Sequence, residues 1–310
     1  MPVLMGGAIQ GNPLNIATVV STFAGGDDIF YRPDGITTDG TNLYVADTWN
    51  NTIRKIVIAT GEVSTLAGGG RGSEDGIGAA ASFFDPSAIT TDGTNLYVTD
   101  SSNYTIRKIV IATGAVTTLA GTAGVSGSAD GTGAAARFSM HYGITTDGTN
   151  LYVADSNNYT IRKIVIATGV VTTLAGTAQV RGNADGIGAA AVFFFPEGIT
   201  TDGTHLYVDD TVNNTIRKIV IATGAVTTFA DSAASGITTD GTNLYLAGDT
   251  IRKITISTGT VTTLAGTEGV SGSMDGVGSA ASFNRPYGIT TDGFNLFVTD
   301  TYNNTIRKIH

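Results

Sequence analysis

A single phrase recurs six times along the 310-residue chain and constrains the fold more than any other feature. Its most regular part is Ile-Thr-Thr-Asp-Gly, which begins at Ile36, Ile89, Ile144, Ile199, Ile237 and Ile289. Successive copies start 53, 55, 55, 38 and 52 residues apart. Repeats of this length indicate a solenoid, a propeller or another array in which each unit packs against its neighbours.

Each copy contains four short segments that are rich in β-branched and aromatic residues, as is typical of strands. In the first copy they surround Ile36, Tyr44, Ile53 and Val63, and Asp-Gly, Asn-rich and Ala-Thr-Gly breakers separate them. We name these segments strands A to D. Four antiparallel strands in each of several tandem repeats predict an all-β propeller with one blade per repeat.

The two ends of the chain are incomplete copies that complement each other. Residues 15–24 have the pattern of a strand D without its first three strands, and the last copy, residues 284–310, stops after its strand C. Pairing the two ends closes the ring and removes two open sheet edges. The sequence therefore predicts one domain over residues 1–310, a six-bladed β-propeller with four antiparallel strands per blade that the N-terminal strand closes.

Composition and charge argue against several classes of partner. The formal net charge of −9 disfavours binding to the phosphates of nucleic acids. No apolar run is long enough to span a membrane, and residues 1–7 lack the regions of a signal peptide. The chain has no cysteine, so its fold needs no disulfide. We expect a monomer that binds no nucleic acid, as a domain of a longer extracellular or cell-surface protein.

The repeated phrase also resembles a known family. Asn42-Leu-Tyr-Val-Ala-Asp47, followed by Thr-Ile-Arg-Lys-Ile, is similar to the NHL repeat, and the linker from Asp75 to Phe83 is similar to that family's inter-blade connector. The resemblance covers nearly the whole chain. It implies a propeller used mostly for recognition, with lyases that hold a metal on channel-mouth histidines as a catalytic minority.

The copies differ mainly in the connectors from strand D of one blade to strand A of the next. Of the 17 Lys and Arg residues, 12 belong to the Arg-Lys pair of strand C, and the other five fall in these connectors together with 12 of the 26 acidic residues. In a propeller these connectors share one face with the B-to-C turns, and we name it the loop face. Variable loops on a rigid scaffold concentrate binding residues, so we predict that ligands bind there.

Six residues that precede the regular part of strand A should surround the mouth of the central channel. They are Asp34, Ser87, Tyr142, Glu197, Ser235 and Tyr287. Across the ring, acid faces acid, serine faces serine and tyrosine faces tyrosine. This pattern indicates either duplication of a three-bladed ancestor or a polar site with two opposed carboxylates. In the second case Asp34 and Glu197 form a metal site that suits calcium, although no EF-hand-like loop supports it.

We predict that the ligand site combines mouth residues with residues on the surrounding rim. It comprises Asp34, Tyr142, Glu197, Tyr287, Arg32, Trp49, His141 and Arg285. Aromatic rings beside acidic and amide groups suit a protein, peptide or glycan ligand. The predicted function is a non-catalytic recognition or scaffold module. The alternative is an NHL-like lyase or hydrolase that uses Asp34 and Glu197, because the three histidines are too scattered for a three-histidine zinc site.

Other recurring residues are interpreted as structural. The aspartates that end strand B, such as Asp100, are placed to accept backbone hydrogen bonds, and Phe83 and its equivalents should hold the connectors to the blades. Asp209 differs, because the other copies carry other residues there, and we expect it to add negative charge near Glu197. Long connectors enter blades two, three, four and six, which predicts a low rim at blades one and five through which a partner docks.

Overall fold

The structure is a computed structural model that describes residues 3–5, 8–10, 13–26, 28–232 and 234–310. Six antiparallel sheets follow one another around a ring, and the predicted six-bladed β-propeller is confirmed. Among the described residues the only helical segments are single 3-10 turns, so no helix there is long and apolar enough to cross a membrane.

The blades share one strand order, A to D from the channel outwards. The strands of blades one to three are Pro33–Thr38, Asn42–Asp47, Thr52–Val57 and Val63–Ala67; Pro86–Thr91, Asn95–Asp100, Thr105–Val110 and Ala115–Gly121; and Ile144–Thr146, Asn150–Asp155, Thr160–Val165 and Val170–Ala175. Those of blades four to six are Pro196–Thr201, His205–Asp210, Thr215–Val220 and Ala225–Asp231; Gly236–Thr239, Asn243–Ala247, Ile251–Thr255 and Val261–Ala265; and Pro286–Thr291, Leu296–Asp300, Thr305–Ile309 and Val19–Gly25.

Four blades have a fifth, two-residue strand that the sequence analysis did not predict. Each is contributed by the connector that enters the blade and pairs with strand D: Gly76–Ile77, Gly131–Thr132, Gly186–Ile187 and Gly276–Val277. A 3-10 turn follows each of them, at Gly78–Ala80, Gly133–Ala135, Gly188–Ala190 and Gly278–Ala280. Further 3-10 turns lie between strands B and C, at Thr48–Asn50, Ser101–Asn103, Ser156–Asn158, Thr211–Asn213 and Thr301–Asn303.

Blade six is completed by the N-terminal strand, as predicted. Strand Val19–Gly25 pairs with Thr305–Ile309, with Val20 opposite Ile309 and Gly25 opposite Thr305. Backbone hydrogen bonds of 3.1 Å also join Val19 to His310 in both directions. The observed strand is shorter at its start than the predicted segment 15–24.

The hydrophobic core lies between adjacent blades. In the cluster between blades one and two, Tyr44 and Ile53 of one blade pack with Leu96 and Val98 of the next, and all four side chains are buried. Phe83 of the connector is fully buried in the same cluster, which confirms that it holds the connector in place. Because each blade buries its faces only against neighbours, the fold needs a closed ring.

The aspartate that ends strand B joins the connector to strand C. In blade two, Asp100 Oδ1 accepts a hydrogen bond from the backbone N–H of Phe84 at 2.7 Å, and Oδ2 accepts from Asn103 and Arg107, both at 2.8 Å. Arg107 also contacts Asp75 of the connector at 2.9 Å, and its side chain is fully buried. We name this arrangement the aspartate-arginine node. It recurs in blades three, four and six and confirms the predicted structural role of these aspartates.

A short N-terminal hairpin, Val3–Met5 and Ala8–Gln10, lies against the inner strands of blades one, five and six. Farther along, the backbone N–H of Leu14 donates to Asp240 Oδ2 at 3.0 Å. Asp240 belongs to an A-to-B turn, so this segment lies on the face opposite the loop face.

Terminal closure predicts the behaviour of a circular permutant. In this variant the turn Ile-Ala-Thr-Gly of residues 111–114 joins His310 to Val19, and the chain starts at Gly26. We expect its Tm to lie well above that of a chain without residues 1–24, because both variants lack the buried Leu14 but only the permutant keeps the strands that pair. A chain without residues 1–24 exposes the edge of blade six, and its Tm should fall by roughly 10 °C or it should aggregate. Deletion of residues 1–12, which spares the strand, is the control. Equal Tm values for the permutant and the chain without residues 1–24, measured by calorimetry, would contradict the closure.

Candidate functional site

The inner strands surround a channel that opens on the loop face. Its cavity has a volume of about 70 Å³, and all six predicted mouth residues line it. Below them the wall consists of isoleucines, one from each blade: Ile36, Ile89, Ile144, Ile199, Ile237 and Ile289. A polar mouth therefore lies above an apolar shaft.

Four mouth side chains form one electrostatic cluster. The Tyr287 hydroxyl donates to Glu197 Oε2 at 2.9 Å, although the two residues are two blades apart. Burial raises the pKa of Glu197, and this hydrogen bond partly offsets the effect. Burial and the charges of Glu197 and Asp34 raise the pKa of Tyr142. The structure thus brings together Asp34, Tyr142, Glu197 and Tyr287, as the sequence predicted.

Asp34 is the mouth carboxyl group whose pKa is raised most. Burial raises its pKa to about 7, while the Thr48 hydroxyl and the Arg32 charge act in the opposite direction. The nearby charges of Asp85 and Glu197 raise it further. A carboxyl group with this pKa gains or loses its proton near neutral pH, so the charge of the mouth depends on small changes in its surroundings.

Ser87 is held within the fold, unlike the charged and aromatic mouth residues. Ser87 is buried, and its hydroxyl lies 2.9 Å from that of Thr99 and 2.5 Å from that of Ser101. Ser101 in turn donates to the backbone carbonyl of His141, which links blades two and three. The Ser87 hydroxyl is therefore committed to this contact between blades.

A second set of side chains occupies the position two residues before the mouth residues: Arg32, Asp85, Met140, Phe195 and Arg285. Their φ angles lie between +41° and +63°, in the left-handed region that residues other than glycine rarely adopt. Each such residue costs about 1–2 kcal/mol. Strained backbone of this kind clusters at functional sites, because it aims side chains that a relaxed backbone would not. The sequence predicted Arg32 and Arg285 of this set as rim residues, whereas Asp85 and Phe195 were missed.

Three predicted rim residues form one stack between blades six and one. The guanidinium carbon of Arg32 lies 4.0 Å from the centre of the Trp49 ring and 4.1 Å from that of Tyr302. The Arg285 guanidinium lies 5.1 Å from the Tyr302 ring on the same surface. The two rings remain partly exposed, Trp49 at 45% and Tyr302 at 38%. The stack presents cations and aromatic faces to solvent beside the acidic mouth.

The prediction that His141 contributes to the rim is wrong. Its side chain is fully buried, packs against the Phe138 ring and places Nε2 3.0 Å from the backbone carbonyl of Thr105. Burial lowers its pKa to about 4, so the imidazole is neutral at physiological pH. His141 replaces a proline of the repeat and fills an inter-blade space, so a ligand on the loop face does not reach it.

The interpretation of Asp209 also needs correction. Most blades have proline where blade five has Ala234, whose additional backbone N–H donates to Asp209 Oδ1 at 3.1 Å. Asp209 Oδ2 accepts a hydrogen bond from Thr211, and the side chain is fully buried. Burial raises the pKa of Asp209 to about 8, so it is mainly protonated at neutral pH and adds little negative charge. The aspartate compensates for the missing proline.

The described residues contain no cluster of three or more His, Asp or Glu side chains arranged to hold a metal. His205 lies in an A-to-B turn with Nδ1 3.1 Å from Asp202 Oδ2, and His310 is exposed at the end of blade six. The carboxylates that line the mouth are those of Asp34 and Glu197, and the side chains of Tyr142 and Tyr287 lie beside them.

Curated proteins with similar sequences include NHL-repeat proteins. Protein SUPPRESSOR OF QUENCHING 1, chloroplastic, of Arabidopsis thaliana is 36% identical over 45% of this chain and 14% of its own length. NHL repeat-containing protein 2 of Homo sapiens is 32% identical over 47% of this chain and 22% of its own. The Gallus gallus protein of that name is 25% identical over 98% of this chain and 41% of its own. The chain thus spans less than half of these relatives. No family model matches it.

Solved structures with the same ring differ in function. An auxiliary nutrient binding protein from Bacteroides thetaiotaomicron superposes with a TM-score of 0.67 at 17% identity, over 94% of this chain and 76% of that one. A streptogramin B lyase gives 0.58 at 14% identity, over 94% and 97%. A gluconolactonase from Xanthomonas campestris gives 0.62 at 13%, over 100% and 96%. At these identities the likeness concerns the fold alone. The repeated phrase, the six-bladed ring and the NHL-repeat relatives together identify this chain as an NHL-repeat β-propeller.

Proposed function

We propose that the protein is a non-catalytic recognition module whose channel mouth binds a cationic group of a protein or peptide ligand. One observation carries this proposal: Asp34 and Glu197 line a single small cavity together with Tyr142 and Tyr287, and their charges act on one another and on both tyrosines. A cavity of about 70 Å³ has room for roughly five waters, or for one ammonium or guanidinium group in their place. Carboxylates and aromatic faces both attract such a cation.

The surroundings of the mouth support a peptide more than a glycan. A neutral sugar would stack on the rings of Trp49 and Tyr302, but it would gain little from the acidic mouth. A peptide can place a basic side chain in the mouth and acidic residues against Arg32 and Arg285. The rigid blades present all these groups with little ordering on binding, which favours affinity.

Calcium is the alternative cation for the same carboxylates, as expected from Asp34 and Glu197. Calcium prefers six to eight oxygen ligands, including ionised carboxylates. Here Asp34 has a pKa of about 7, and one oxygen of Glu197 is bonded to Tyr287. An organic cation, which needs fewer ligands, fits this donor set better.

A catalytic role is the second candidate. The pKa of about 7 for Asp34 suits a general acid or base, and solved propellers of this shape include a lyase and a gluconolactonase. The described residues place the three histidines apart, in a buried inter-blade space, in an A-to-B turn and at the end of blade six, so they do not assemble a zinc site. We favour recognition because, among the described residues, the hydroxyl beside Asp34 is that of Thr48, which is held by the backbone carbonyl of Pro86 at 2.8 Å.

The raised pKa of Asp34 predicts pH-dependent binding. A cation binds the ionised carboxylate, so binding releases a proton below pH 7, and affinity should fall by up to about tenfold per pH unit between pH 7 and 5. The probe is an array of heptapeptides centred on lysine, arginine or glutamate, followed by calorimetry of the best basic peptide. Asp34→Asn should weaken binding at pH 8 and remove most of the pH dependence. A preference for glutamate-centred peptides would overturn the proposal, and a rise in Tm with calcium chloride that Asp34→Asn abolishes would favour calcium.

Alanine substitutions test which face binds. Trp49→Ala and Tyr142→Ala should each weaken the best basic peptide by about tenfold, because they remove ring contacts with the ligand. Phe294→Ala is the matched control, since Phe294 is 76% exposed in an A-to-B turn on the opposite face. Its affinity, measured by the same calorimetry, should equal that of the wild type. A loss for Phe294→Ala as large as for Trp49→Ala would place binding elsewhere.

A further inference from the structure

A second groove lies between blades four and five and meets the channel mouth at Ser235. It has a volume of about 580 Å³ and is lined by the B-to-C turn of blade five and by Arg252, Thr263 and Glu268. We name it the blade-five groove. It corresponds to the blade-five part of the low rim that the sequence predicted. The equivalent surfaces of the other blades show which groups bind there.

In four blades the equivalent surface is covered by the entering connector. In blade two the backbone of Gly76 and Ile77 pairs with strand D, and the preceding Asp75 reaches into the blade. The Asp75 carboxylate accepts hydrogen bonds from Arg107 at 2.9 Å and from Thr118 at 3.1 Å. Equivalent Asp, Arg and Thr contacts occur in blades three, four and six.

Blade five retains the arginine of strand C and the threonine of strand D that contact the connector aspartate in the other blades. Arg252 is paired with Thr263 across strands C and D, as Arg107 is paired with Thr118 in blade two. The entering connector, however, is only residues 232–235, of which residue 233 lies outside the described part of the chain. Among the described residues nothing pairs with the outer edge of strand Val261–Ala265, and Val261 is 43% exposed. Arg252 is partly exposed, whereas Arg107 is fully buried.

We propose that the blade-five groove binds an extended segment of a partner protein with the pattern Asp-Gly-aliphatic. The segment adds a short strand to the edge of Val261–Ala265, and its aspartate binds Arg252 and Thr263 as the connector aspartates bind their own blades. This site shares Ser235 with the channel mouth but none of the mouth carboxylates or tyrosines.

Charge further defines the partner. Asp249 and Glu268 also line the groove, so acidic residues beside the central aspartate would be repelled. A segment with neutral or basic flanks fits better. An aromatic residue eight positions after the aspartate, as in the connectors, is not required, because Phe229 and Ala234 already pack into the cluster between blades four and five.

The chain supplies a suitable probe in its own fourth connector. A synthetic peptide of residues 182–192 contains Asp185 between neutral residues and ends before the buried phenylalanine. Labelled with fluorescein, it should bind the full chain in an anisotropy titration. The same peptide with Asp185→Asn should bind about tenfold more weakly, because it loses a charge-assisted hydrogen bond.

Variants of the protein provide matched controls. Arg252→Ala and the isosteric Thr263→Val should weaken the peptide by about tenfold and threefold, and the Tm of each variant is measured beside its affinity. Tyr142→Ala at the channel mouth should leave peptide affinity unchanged. Replacing residues 231–233 with the long connector 176–195 should cover the groove from within and abolish peptide binding.

Three results would overturn the proposal. The first is equal affinity of the parent and Asp185→Asn peptides, and the second is unchanged peptide affinity in Arg252→Ala. The third is a concentration-dependent dimer, detected by sedimentation, that Arg252→Ala abolishes, since the groove would then receive a second copy of this chain.

Discussion

The buried contact between the aspartate that ends strand B and the arginine of strand C is the interaction on which the loop face depends. In blades two, three, four and six this aspartate-arginine node ties the B-to-C turn, strand C and the entering connector together. Removing the carboxylate would leave a buried guanidinium, at a cost of about 3–5 kcal/mol. The node therefore fixes the backbone from which the mouth and rim side chains project.

Because the node fixes the backbone of each connector, the other connector residues can differ from blade to blade while the propeller keeps its fold. Arg32, Asp85 and Phe195 occupy the same strained backbone position yet carry different chemistry to the rim. Blade five shows the converse. Gly248 stands where the other blades have the node aspartate, and the long connector is missing as well. Blade five therefore lacks both the aspartate that ends strand B and the aspartate of the connector, and the blade-five groove lies where they would be.

The sequence predicted the features that repetition makes visible. Six copies gave the number of blades, and the complementary chain ends gave the closure at Val19–Gly25. Two-residue strands such as Gly76–Ile77 are too short to produce a pattern. His141 and Asp209 were misinterpreted because each was compared only with the equivalent residues of the other repeats. His141 in fact fills a space between two blades, and Asp209 accepts a hydrogen bond from the backbone N–H of Ala234 in the next blade. The protonation of Asp34 depends on burial and on neighbours in other blades, which no single repeat contains.

The ionisation of Asp34 tests most directly whether the mouth is a buried acidic site that accepts a cation. Protein labelled with ¹³C at the aspartate carboxyl carbons would be titrated by NMR, and the Asp34 signal would be assigned from its absence in Asp34→Asn. A midpoint near pH 7 is expected, because burial and the charges of Asp85 and Glu197 oppose ionisation. A midpoint near the ordinary value for aspartate, about 4, would mean that the mouth is open to water and is no buried acidic site.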